Sequence, residues 1–136
     1  MERKIYESKY VDYYYDDENK YIFQVWKNYD ETMTEEDFKK GMLDSNKLVD
    51  KYMPNKSMVD SRYMNFIVTP ELQKWVDTNI TGEANVFLRK VAFIVPEDLF
   101  AQISIQQTNE EEEGSKYEGL GYFTTKEEAL EWLLND

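Results

Sequence analysis

The sequence predicts an α/β (α+β) fold. An N-terminal antiparallel β-hairpin leads into βα units, and the whole closes as a mixed sheet of four to five strands with about four helices. Three observations carry this. Two strand-forming runs near the start are joined by five polar residues, too few for a crossover helix, so those strands are antiparallel. Helix starts with recognisable caps recur along the remainder. Apolar strand runs alternate with those helices, and right-handed crossovers then make the later sheet mostly parallel.

The elements follow in order. Tyr6 to Tyr15 is dense in Tyr and Val, and Tyr21-Ile22-Phe23-Gln24-Val25-Trp26 is a second run of strand formers. Asp16-Asp17-Glu18-Asn19-Lys20 between them is a polar turn. Thr34 caps a helix whose first turn holds Glu35, Glu36 and Asp37, where the dipole favours acids. Phe38, Met42, Leu48, Val49 and Tyr52 form its apolar side, and Met53-Pro54-Asn55 stops it. Lys56 to Asp60 reads as a short strand, and Tyr63 to Val68 as apolar but irregular. Thr69-Pro70-Glu71 starts a helix with Leu72, Trp75, Val76 and Ile80 inward, ended by Thr81-Gly82-Glu83. Phe87 to Val95 contains an unbroken apolar run from Val91, as expected of a strand covered on both faces. Pro96-Glu97-Asp98 opens a helix carrying Leu99, Phe100 and Ile103. Tyr117 to Phe123 is the last strand. Thr125 and Glu128 then form a capping-box pattern for a helix with Ala129, Leu130, Trp132 and Leu133 inward.

Residues 1–136 fit one domain, with 41% hydrophobic residues to build a core. The chain has no cysteine and no histidine. Disulfides, thiolate and imidazole metal sites, cysteine nucleophiles and Ser-His-Asp triads are therefore excluded. The net formal charge of −12 repels phosphate backbones and anionic lipid, so neither nucleic acid nor membrane is an expected partner. No signal-peptide pattern and no bilayer-length apolar stretch is evident, so a cytoplasmic location is expected. No cofactor is expected: Gly119-Leu120-Gly121 is too short for a dinucleotide fingerprint, and no phosphate-binding loop is present.

Candidate sites are few. Asp16-Asp17-Glu18 and Glu110 to Glu113 are acidic clusters without EF-hand spacing, and read as solvated surface. Asp60-Ser61-Arg62 falls at a strand end, where ligand sites of open α/β sheets collect. Thr69 stands at a helix N-terminus, where an added phosphoryl group would meet free backbone N–H groups. These four residues are the candidate contact or switch residues, against the plainer reading of an ion pair and an N-cap. Phe66, Trp75, Phe93 and Phe100 are the candidate lining of an apolar-ligand site. Seven of the 11 tyrosines lie in the first thirty residues. In a strand, Tyr13 and Tyr15 share one face while Tyr10 and Tyr14 share the other. One face meets core helices; the other is either an exposed contact surface or a second buried face.

The ββαβαβαβα order, the segment Lys90-Val91-Ala92-Phe93-Ile94-Val95-Pro96-Glu97-Asp98-Leu99-Phe100 and the ending Phe123 to Leu133 resemble small bacterial STAS-like proteins of the SpoIIAA-like group. Met58 to Arg62 and Thr69-Pro70-Glu71 with Trp75 fit that group too. The resemblance implies a four- or five-stranded sheet with helices and a non-enzymatic role. Such proteins bind a partner kinase and are switched by phosphorylation of a serine in an Asp-Ser-Ser or Asp-Ser-Gly motif at a helix N-terminus. Asp60-Ser61-Arg62 departs from that motif, and Thr69 is the nearest hydroxyl by position. The expected function is a non-catalytic regulatory or protein-interaction module with an unidentified protein partner, itself a candidate homodimer. The alternative is a carrier of small apolar ligands or lipids. An enzyme working through carboxylates alone is the third and least supported reading.

Overall fold

A computed structural model describes residues 1–79, 88–101 and 119–135. Six strands form one mixed sheet: β1 (Glu2–Glu7), β2 (Val11–Asp16), β3 (Tyr21–Lys27), β4 (Lys56–Tyr63), β5 (Lys90–Ile94) and β6 (Leu120–Phe123). Their spatial order is their chain order. The pairs β1–β2 and β2–β3 are antiparallel, while β3–β4, β4–β5 and β5–β6 are parallel. The helices are α1 (Glu35–Tyr52), α2 (Pro70–Asn79), a helical stretch at 97–101 (α3) and α4 (Lys126–Leu134).

The sheet has six strands where four to five were expected. The run from Tyr6 to Tyr15 is not one strand. It holds the end of β1, a turn and all of β2. Ser8 makes that turn, its N–H and hydroxyl both 2.9 Å from the Val11 carbonyl. No glycine, proline or asparagine marks it. β1 itself reads as polar sequence because it is an edge strand whose Arg3, Lys4 and Glu7 face water. Tyr10 consequently belongs to the turn, and packs with Val11 and Tyr13 in the core under α1, not with Tyr14. The Glu110–Glu113 run, Ile80 to Phe87, Ile103 and Tyr117 lie outside the described residues.

The two sheet faces carry separate cores. Strand order advances in one direction, so crossovers of one hand put α1 and α2 on the same face. There Val11, Tyr13, Trp26, Phe38, Leu72 and Val76 pack together. α4 covers the opposite face over β4, β5 and β6, with Ala129 and Leu133 against Met58, Ala92 and Ile94. β5 is thus buried on its α4 side, while Val91 and Phe93 on the other side are half-buried.

Local chemistry sets the helix ends. Thr34 accepts from the Asp37 N–H at 3.2 Å and Asp37 accepts from the Thr34 N–H at 3.0 Å, a reciprocal box that needs only an aspartate. Met53 closes α1 in the left-handed region at φ 50, and Pro54 prevents continuation. Thr125 accepts from the Glu128 N–H at 3.2 Å at the start of α4. At its other end the Lys90 ammonium donates to the carbonyls of Trp132 (2.9 Å) and Asn135 (2.5 Å), a cation at the negative end of the helix.

Candidate functional site

The parallel strands β3, β4 and β5 bring their carboxyl ends to one edge of the molecule. Asp60 and Arg62, two apart on β4, project to the same face. Asp60 is 4% exposed. Its Oδ1 accepts from the Arg62 N–H at 3.1 Å and from Nε at 3.0 Å, and its Oδ2 accepts from Nη2 at 2.8 Å. The bidentate grip of Asp60 holds the Arg62 guanidinium above its ordinary pKa. Ser61 projects the other way, and its hydroxyl donates to the Ile94 carbonyl at 3.0 Å, tying the end of β4 to β5. Thr69 is exposed and caps α2, its Oγ1 accepting from the Leu72 N–H at 3.2 Å. Asp60 and Arg62 therefore form one pair, while Ser61 on the opposite face and Thr69 at the start of α2 each stand apart from it with a separate job.

The four aromatic candidates are half-buried, and no ring contact joins any two of them. Phe66 stacks on Phe38, with centroids 5.2 Å apart and planes 13° from parallel. Trp75 packs on the core under α1 and carries the Lys39 ammonium 5.3 Å from its ring. Phe93 stacks on Tyr122 at 5.6 Å. Phe100 lies on α3. None of the four lines either of two clefts on the described surface. One, of about 210 Å³, runs between the end of β3 and the β1–β2 turn, edged by Lys9, Lys27, Tyr29 and Asp30. The other, of about 140 Å³, lies between that turn and α1, edged by Asp37, Lys40 and Asp44.

Sequence reasoning missed the residue that organises this edge. Asn28 follows β3 and is fully buried. Its N–H donates to the Tyr63 carbonyl at 3.0 Å, and its side-chain amide donates to the Asn65 carbonyl at 3.1 Å. Its Oδ1 accepts from the Met33 N–H at 3.0 Å, and its carbonyl accepts from the Glu31 N–H at 3.1 Å. One side chain thus fastens the loop after β3 to the loop after β4. Both loops use left-handed residues, Glu31 at φ 56 and Asn65 at φ 41. On this pinned base stand Tyr29 and Tyr63, with ring centroids 5.6 Å apart. Tyr29 is 62% exposed, Tyr63 42% and Ile67 85%. The Arg62 guanidinium sits 5.4 Å from the Tyr63 ring centroid. The only sequence signal for Asn28 is a polar residue straight after an apolar run, which reads as any turn.

A second polar group lies beneath α1. The Tyr13 hydroxyl donates to the Gly41 carbonyl at 2.8 Å and lies 3.1 Å from Ser45 Oγ, which is 3.0 Å from Gln24 Oε1. Trp26 Nε1 donates to the same Gln24 oxygen at 3.3 Å. Burial pushes the Tyr13 phenol well above its ordinary value. The group is closed on itself and holds the helix to the sheet.

Among the described residues no three acidic side chains converge as a metal site, and no helix is long and apolar enough to cross a membrane. Compared with protein-family models, curated proteins and solved structures, the chain matches none of them.

Proposed function

We propose that the protein is a non-catalytic recognition module, of the regulatory kind that its resemblance to STAS-like proteins implies. Its contact surface is the carboxyl edge of the sheet, centred on Tyr29, Arg62, Tyr63 and Ile67. The observation that carries this is the exposed Tyr29–Tyr63 pair, on the loop after β3 and the last residue of β4, which Asn28 ties together. Tyrosine and arginine dominate contact hot spots because they present large area at low entropic cost, and a pinned base lowers that cost further.

The polar groups beside the pair support recognition over chemistry. Asp60, Ser61 and Thr69 each spend their oxygens on internal partners. Asp60 acts here as the support that aims Arg62, and the guanidinium edge turned from Asp60 remains for a partner. The apolar-carrier alternative draws no support from the two clefts, both edged by lysine and aspartate.

The test is a capture experiment from lysate of the organism that encodes the protein. Wild type is compared with a Tyr29→Ala/Tyr63→Ala variant, whose fold is checked by circular dichroism. A partner that is held by wild type, released by the variant and able to capture the wild-type chain in return is the expected result. Capture that ignores both tyrosines would contradict this surface assignment.

A further inference from the structure

The charge around the tyrosine pair defines what it fits. From Tyr29 to Phe38 the chain carries five acids and no lysine or arginine. Asp37 is occupied in capping α1. Glu35 and Glu36 share one lysine, Lys39, at 4.0 and 3.9 Å. Asp30 and Glu31, both exposed, have no ion-pair partner among the described residues. On the cleft side, Lys27 is already neutralised by Asp12 at 2.9 Å, which leaves Lys9. Arg62 is matched by Asp60. Asp30 and Glu31 thus follow Tyr29 directly in the chain, unpaired among the described residues, beside the exposed aromatic pair, on a body of net charge −12.

We infer that this surface receives a basic, partly apolar segment of a partner protein; the inference rests on the recognition reading above. An arginine or lysine of the segment stacks on the open ring of Tyr29, whose neighbour Tyr63 already carries Arg62 on its own ring. Apolar side chains of the segment cover Ile67 and Tyr63, and Asp30 and Glu31 supply the polar rim. A second copy is the poorer occupant, because it brings another −12 to the same acidic edge.

The probe is a fluorescent peptide of alternating arginine and leucine, with a glutamate and leucine peptide as its mirror in charge. Binding is read by anisotropy at low salt. Three variants of the full chain are compared with wild type: Tyr29→Ala/Tyr63→Ala, Asp30→Asn/Glu31→Gln, and Glu18→Gln/Asp50→Asn. The last removes the same charge at the far end of the sheet, where the β2–β3 turn and the end of α1 lie. The expected result is that the first two variants weaken binding by about tenfold or more, and the far-end variant by less than about twofold. Equal weakening by both charge pairs, or no binding by wild type, overturns the inference. Preferential binding of the glutamate peptide that still depends on the tyrosines overturns the basic partner and leaves the recognition surface standing. Loss of tyrosine dependence with every probe overturns both.

Discussion

Gly41 shows how a single residue can be decided by what faces it. A Cβ there would lie 2.7 Å from the Trp26 ring, so α1 approaches the sheet only where a side chain is missing. Gly41→Ala gains about 1 kcal/mol of helix propensity but overpacks a buried indole at a cost of about 1–3 kcal/mol. The net effect is a lower urea midpoint. A raised midpoint would show that the ring yields freely. Asp60 and Arg62 allow an asymmetric prediction. Arg62→Ala leaves a buried carboxylate without its cation and costs about 3 kcal/mol. Asp60→Ala leaves an arginine that can turn to water and costs about 1–2 kcal/mol. The double variant is less destabilised than the sum of the two, measured by a double-mutant cycle. The Asp60–Arg62 pair was legible from residue type, although β4 runs on to Tyr63 and does not end at Asp60 as its sequence suggests. Asn28 was not, because its importance comes from a loop 37 residues further on.

At the scale of elements, caps were readable and one edge strand was not. Thr34, Thr69 and Thr125 start α1, α2 and α4 as their sequences predict, since capping is local chemistry. β1 escaped because its six residues are mostly charged, and its pairing with β2 is a property of the hairpin rather than of its own composition. Its attachment is acid-sensitive. Burial opposes ionisation of Asp16, but the Asn19 backbone N–H, the N-terminal ammonium and the Asn19 side-chain amide together outweigh it and hold the carboxyl below its usual range. Asp17 is held low chiefly by the hydrogen bond from Arg3 of β1. A carboxylate whose folded pKa is depressed adds stability above its unfolded value, and that contribution is lost as pH falls through the folded value. Urea midpoints therefore fall below about pH 4. Asp17→Asn makes the decrease smaller, whereas a decrease unchanged by that substitution would assign it to other acids.

Across the whole molecule, the described tyrosines include a buried group and an exposed pair. Tyr13, Tyr15 and Tyr21 in the sheet and Tyr10 in the β1–β2 turn are buried, so most of the N-terminal aromatic density is core. Tyr29 and Tyr63 stand outside it, at the edge where parallel strands end. Alternation of β and α segments was enough to predict a mixed, largely parallel sheet. It did not reveal that loops from β3 and β4 meet, because that contact depends on strand order and not on any local pattern. The central claim is that this edge binds a protein. Native mass spectrometry of the protein purified from its own host tests it most directly. The account predicts the chain bound to a second protein, and the bare chain mass for Tyr29→Ala/Tyr63→Ala. A chain that carries a small apolar molecule and no protein in both forms would contradict it.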